Sequence, residues 1–285
     1  EYMNRQETIH LLEQFDLKPV RSLGQNFLID PRIIELACTS AEIGPQDAVI
    51  EIGPGLGSLT KQLARRAGRV LAVEIDQHLL PVLRQELASY DQVEVIQADA
   101  LKIDFAALLA DWPGPRRLAA NLPYYITTSV LEKVLSERPD LASLTLMLQK
   151  EAAPRLSAAS GSKLYGPLAV QVALYGTVRR LATVPAASFY PRPHVDSVLL
   201  LLSRAAHSPL PGGRPWADFL HACFARRRKT LLNSLADAGW SVDQRRLAEA
   251  ALGRIGLPST IRPEQVEPAQ YLALWQQLEV SVSPG

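Results

Sequence analysis

The stretch AVIEIGPGLGSLTKQLARRA, residues 48–67, holds three kinds of pattern in twenty residues. AVIEI is an apolar, β-branched run of the kind that forms a strand buried on both faces. Gly53, Gly55 and Gly57 follow at alternate positions, where a chain can turn tightly and let its backbone approach a ligand. Then LTKQLARRA spaces its apolar residues as a helix does. Strand, glycine turn and helix together make the first half of a βαβ unit. The strand pattern recurs in RVLAVEID (69–76), VEVIQAD (93–99), RRLAANL (116–122) and SLTLMLQ (143–149), with HLLPVLRQELASY (78–90) as an intervening helix. Such alternation predicts right-handed crossovers and a mostly parallel sheet covered by helices. LAVQVALYGTVRRLATV (168–184) and HVDSVLLLLSR (194–204) are expected to close the sheet as its last strands, one of them antiparallel.

From about residue 206 the character changes. AHSPLPGGRPW (206–216) reads as a linker, and beyond it only helical patterns occur: WADFLHACFARRRKTLLNSLADAG, SVDQRRLAEAALG and EPAQYLALWQQL. The expected architecture is an α/β domain over 1–205 and a small all-helical domain over 206–285. With 47% hydrophobic and 21% charged residues, the chain of 285 residues can bury a sizeable core. A net charge of only +1 means that binding a polyanion must rely on local clusters, of which ARRRKT (225–230) is the densest. Cys38 and Cys223 offer neither metal spacing nor a disulfide framework, and the five histidines are scattered, so no metal is expected. No apolar run is long enough to span a bilayer and the N-terminus lacks a signal-peptide layout, which predicts a cytoplasmic protein.

The glycine loop alone could be a tight turn. Its context adds Glu74 at the end of the second strand, where a carboxylate can bind both hydroxyls of a ribose, and Asp99 after the third, placed to accept from an adenine amine. NAD would fit these residues too, but its fingerprint wants the third glycine one residue later and a helix N-terminus for the pyrophosphate. S-adenosylmethionine carries adenosine without pyrophosphate.

NLPYY (121–125) favours that cofactor. It could be an ordinary turn. Read chemically, an Asn oxygen and a backbone carbonyl can accept hydrogen bonds from the exocyclic amine of an adenine. That helps to free a nitrogen lone pair otherwise delocalised into the ring. Pro123 stiffens the loop and adds no competing N–H, and Tyr124 can stack on the base for about 1–3 kcal/mol. Alignment alone can supply up to about 7–11 kcal/mol. No strong general base is called for, because the nitrogen becomes acidic once methylated.

SLGQNFLID, VIEIGPGLGSLT, AVEID, QADAL, NLPYYITTSVL, KEAAPRL, GSKLYGPLAV, FYPRPHVDSVLL and RRRKTLLNSL, in that order from about residue 20 to beyond 235, closely resemble the bacterial 16S rRNA adenine dimethyltransferases. The resemblance implies a class I S-adenosylmethionine-dependent methyltransferase fold (Rossmann-like, with a mostly parallel seven-stranded sheet) and a small C-terminal helical domain. It implies N6 dimethylation of two adjacent adenosines in the 3′-terminal hairpin loop of 16S rRNA, within an immature 30S subunit, leaving S-adenosylhomocysteine as product. By the same resemblance Asn26 and Leu28 cover the cofactor, and Gly53, Gly55, Glu74, Asp99 and Asn121 complete its shell. Asn121, the Leu122 backbone, Pro123 and Tyr124 hold the target amine, while Phe189 stacks on the opposite face of the base; without the resemblance Phe189 reads as a core aromatic. Tyr125 is expected to pack rather than act.

Lys150, Arg155 and Lys163 beside the site, and Arg226, Arg227, Arg228 and Lys229 on the first helix of the second domain, are candidate RNA contacts, although a basic run can equally be a solvated face. A single-stranded loop suits this design, since its bases can be splayed out at modest cost. Pro154 and Pro167 depart from the family pattern and leave the shape of the RNA-facing surface open. A monomer is expected. Two other readings compete: a large-subunit rRNA methyltransferase of the macrolide-resistance type, and a small-subunit assembly factor without catalysis.

Overall fold

The computed structural model describes residues 2–282, with the side chains of residues 21, 124 and 280–282 left aside. Its strands are β1 (Phe27–Leu28), β2 (Ala48–Ile52), β3 (Arg69–Glu74), β4 (Val93–Gln97), β5 (Arg116–Asn121), β6 (Ser143–Gln149), β7 (Gly176–Val184), β8 (Phe189–Tyr190) and β9 (Ser197–Arg204). Its helices are α1 (Arg5–Gln14), α2 (Pro31–Ser40), α3 (Ser58–Ala64), α4 (Leu80–Glu86), α5 (Thr127–Glu137), α6 (Pro167–Tyr175), α7 (Arg214–Cys223), α8 (Leu231–Asp237), α9 (Val242–Arg254) and α10 (Pro268–Val282).

Seven strands form one sheet in the order β4-β3-β2-β5-β6-β9-β7. The β2, β3, β4, β5 and β6 pairings are parallel and β6–β9 is antiparallel, as expected of a mostly parallel sheet. All five residues of β2 are buried, which explains why the strand reads as apolar almost throughout rather than alternating. From β2 the chain builds outward through β3 and β4, then returns to lay β5 against the other side of β2. That reversal opens a crevice beyond the carboxyl ends of β2 and β5, where ligands bind in open α/β sheets. A separate antiparallel pair, β1 with β8, sets Phe27 opposite Tyr190 and Leu28 opposite Phe189.

The chain divides into two compact units: residues 1–130, 140–153 and 178–204, and residues 131–139, 154–177 and 205–285. Segments 131–139 and 154–177 thus group with the C-terminal helices. The second unit is built on aromatic rings. Trp216, Tyr165 and Tyr271 are fully buried, and Phe219 lies 5.3 Å from Trp275 between ring centroids. The phenols of Tyr165 and Tyr271 donate to the Val266 and Pro263 carbonyls, both at 2.7 Å, so neither hydroxyl is orphaned.

Three expectations about elements are corrected. Residues 168–175 are helix, not strand. Leu168, Ala169, Val170, Gln171, Val172, Leu174 and Tyr175 are all buried, and a helix buried nearly all round shows no amphipathic period to distinguish it. The run 216–239 is also not one helix: α7 stops at Cys223 and α8 restarts at Leu231, where the Thr230 hydroxyl caps it by accepting from the Asn233 N–H. Arg226, Arg227, Arg228 and Lys229 therefore occupy the turn between α7 and α8. Segment 206–216 is more than a linker, since Leu210 and Trp216 are buried and the Gly213 N–H donates to Ser136.

Candidate active site

Gly53 follows β2 and Asn121 is the last residue of β5, each directly after the pair in which Ile52 faces Ala120. Gly53 takes φ +73°, and a Cβ there would lie 3.2 Å from the Asn121 carbonyl. Gly55 (φ +60°) is tighter still: a Cβ would meet the Phe27 ring at 2.8 Å. The backbone can approach its neighbours this closely at these two positions only because neither carries a Cβ.

These elements surround a cavity of about 210 Å³ in the first unit. Asn26, Leu28, Gly53, Gly55, Glu74, Asp99, Asn121 and Pro123 all line it, bringing together the residues expected around the cofactor. Glu74 is buried and spends one oxygen on the Asp76 N–H (2.9 Å) and the other on the Gly55 N–H (3.3 Å). Burial raises its pKa, with the charge of Asp76 adding to the rise and the backbone N–H groups opposing it. Asp99 turns one oxygen to the Leu101 N–H at 2.9 Å and holds Lys102 near the other. Asn121 donates its Nδ2 to the Asn26 carbonyl at 3.3 Å. With the donor end so engaged, and no donor among the described residues on its Oδ1, the carboxamide offers an acceptor to the cavity.

Other expectations fare differently. Leu122 is buried and its N–H donates to Met147, so the side chain belongs to the core, not the cavity wall. The Tyr124 side chain lies outside the described residues. Phe189 is 4% exposed, in a core cluster with Leu28, Ile33, Ile34, Met147, Val184 and Leu199, and is not among the residues that line this cavity. Tyr125 is corrected. It is 60% exposed and lines the cavity, so its ring is not packed. Lys150, Arg155 and Lys163 are exposed, the first in one unit and the other two in the second. Arg226 and Lys229 share the Asp237 carboxylate at 3.2 and 2.8 Å, Arg227 donates to the Ser162 carbonyl, and Arg228 has no acceptor among the described residues.

Several wall residues carried no prior expectation. Glu51 Oε2 and Ser58 Oγ are buried without a hydrogen-bond partner among the described residues, and both residues line the cavity. Burial, with the charge of Glu74 adding to it, pushes the Glu51 pKa up to about 8. An acid inside an otherwise apolar strand was the available signal for it. Ile75 and Leu101, 51% and 39% exposed, join Tyr125 as uncovered apolar surface along the wall. Two carboxylates, unsatisfied buried polar atoms, bare apolar flanks and glycines where the backbone comes closest together fit an adenosine-bearing cofactor such as S-adenosylmethionine. Among the described residues no cluster of three His, Cys, Asp or Glu side chains could hold a metal, and no helix is long and apolar enough to cross a membrane.

Comparison with known proteins agrees with this geometry. Residues 17–277 match the family described as Ribosomal RNA adenine dimethylase. The chain is 40% identical over 273 residues, 94% of its length and 93% of the relative's, to Ribosomal RNA small subunit methyltransferase A of Geobacillus thermodenitrificans. Among solved structures, a dimethyladenosine transferase from Plasmodium falciparum superposes with TM-score 0.70 at 28% identity, covering 89% of this chain and 98% of that one. The 23S rRNA methyltransferase ErmE superposes with TM-score 0.59 at 30% identity, covering 89% of this chain and all (100%) of that one.

Proposed function

The chain belongs to the ribosomal RNA adenine dimethylase family, and from that premise we propose that it methylates N6 of two adjacent adenosines in the 3′-terminal hairpin loop of 16S rRNA. On this reading it acts in the cytoplasm as a monomer on an immature 30S particle, with residues 1–205 binding the cofactor and 206–285 contacting RNA. It is an S-adenosylmethionine-dependent enzyme. Bound in the cavity, the cofactor supplies a methyl group made electrophilic by the adjoining sulfonium.

The observation that supports the reading is the Asn121 carboxamide, which donates its Nδ2 to the Asn26 carbonyl in a residue that lines the same cavity as the glycine turn. In the proposed roles, Glu74 accepts from the ribose hydroxyls and Asp99 from the cofactor's adenine amine. Asn26 and Leu28 cover the cofactor from the N-terminal side, and Gly53 and Gly55 let the backbone approach it. Asn121 Oδ1 and the Leu122 carbonyl accept from the target amine, which turns its lone pair toward the methyl carbon; Pro123 holds the loop and Tyr124 stacks on the base. Alignment of this kind is the main source of rate, and misplacing it costs about a hundredfold. Asn121→Ala is accordingly expected to lose about a hundredfold in turnover while still binding S-adenosylhomocysteine; near-normal turnover would undo the clamp.

A large-subunit target is the second reading, and the likeness to ErmE is the observation behind it. Against it stands the greater identity to the small-subunit relative, 40% against 30%.

A further inference from the structure

Gln25 sits at the cavity wall and makes two side-chain bonds of opposite polarity. Its Oε1 accepts from the Val20 N–H at 2.8 Å, which closes the 20–25 turn, and its Nε2 donates to Asp76 Oδ2 at 2.7 Å across 51 residues of sequence. Asp76 is buried. Its other oxygen accepts from the N–H and the ring Nδ1 of His78, and its own N–H donates to the Glu74 carboxylate at 2.9 Å. Burial draws the Asp76 pKa upward, but the His78 N–H, the Gln25 amide and the His78 ring outweigh it, so the group is held below its ordinary value and ionised. One residue thus grips two walls of the cavity, Glu74 through its backbone and the N-terminal segment through its side chain.

What that segment does next is set by geometry. Immediately after Gln25, the Asn26 carbonyl receives the Asn121 amide. Immediately before it, Gly24 lies so close to Pro123 that a Cβ would fall 2.9 Å from the proline ring. Phe27 and Leu28 then pair with β8 and complete the wall.

We propose that the Gln25–Asp76 hydrogen bond is a latch that holds residues 20–28 closed over the cofactor cavity, which makes Gln25 and Asp76 positioning residues for the Asn121 clamp. The inference rests on the cavity being the cofactor site. A hydrogen bond to a charged acceptor is worth about 1.5–3 kcal/mol, so its loss corresponds to roughly tenfold or more in cofactor affinity.

The test uses the full chain. In calorimetric titrations with S-adenosylhomocysteine, Gln25→Ala is expected to bind about tenfold more weakly than wild type. In the ligand-free protein, hydrogen exchange over residues 20–28 should quicken while the sheet strands stay protected. With RNA present, the KM for S-adenosylmethionine should rise and the KM for RNA should not, a split that general destabilisation would not produce. Gln25→Glu alone sets a carboxylate against Asp76 and should bind worse than Gln25→Ala. Combining it with Asp76→Asn exchanges donor and acceptor and should recover most of the affinity. Unchanged exchange and affinity in Gln25→Ala, or no recovery in the double variant, would overturn the latch. Failure of the wild type itself to bind S-adenosylhomocysteine would instead sink the cofactor-site reading.

Discussion

Replacing Gly55 with alanine should be costly for two separable reasons. Its φ of +60° is the left-handed region, which costs an L-residue about 1–2 kcal/mol. In addition, the new methyl would sit 2.8 Å from Phe27 Cδ1 and 3.2 Å from Cε1. The ring cannot swing away freely, because Phe27 is buried among Met3, Leu11, Leu56, Leu79 and Val82 and its backbone is paired with Tyr190. Overpacking of that sort adds about 1–3 kcal/mol, for a total of about 2–5. Gly57, two residues on, provides the control: its φ is +88°, but the nearest atom to a Cβ is Leu83 Cδ2 at an ordinary 3.5 Å. Gly57→Ala should therefore cost only the backbone share, about 1–2 kcal/mol. Urea denaturation of both variants, with unchanged slope, gives the difference directly. Gly55→Ala should also lose more affinity for S-adenosylhomocysteine, since both Phe27 and the Gly55 N–H that supports Glu74 are at the cavity. If Gly55→Ala cost no more than Gly57→Ala, the close approach of the turn to the wall would be refuted.

Two further outcomes are expected. Glu51 has a folded-state pKa of about 8 against an ordinary 4.5, so the folded protein binds the extra proton and stability should fall as pH rises from about 4.5 through about 8. Glu51→Gln should flatten that part of the pH–stability curve, and an unchanged curve would rule the shift out. Arg228, exposed and without an acceptor among the described residues, should contribute more to RNA binding than Arg226, which is tied to Asp237. Filter binding across a salt series should show Arg228→Ala lowering the log–log slope by about 0.7–0.9, the value of one phosphate contact, and Arg226→Ala lowering it less.

The sheet was legible because its central strands are buried on both faces and bounded by glycine, acidic or amide residues at their carboxyl ends, and those ends are where the cavity forms. Glu74, Asp99 and Asn121 could be picked out since each terminates an apolar run. Helix α6 was not legible as a helix: only Pro167 at its first position and Gly176 just past its last hinted at a start and an end. The 226–229 turn was hidden for the opposite reason, because helical spacing runs through it and only the Thr230 cap marks the break. Tyr125 was expected to pack and is exposed, because an aromatic residue in a turn carries no local sign of which way it faces. The Gln25–Asp76 bond has no sequence signature at all, since its partners come from separate elements joined only by the fold.

The most direct test reacts unmethylated small subunits and large-subunit rRNA, side by side, with methyl-labelled S-adenosylmethionine and maps the labelled nucleotides. The account predicts label at N6 of the two adjacent adenosines near the 3′ end of 16S rRNA, with none on the large-subunit RNA. Label confined to the large-subunit RNA, or absent from both, would contradict it.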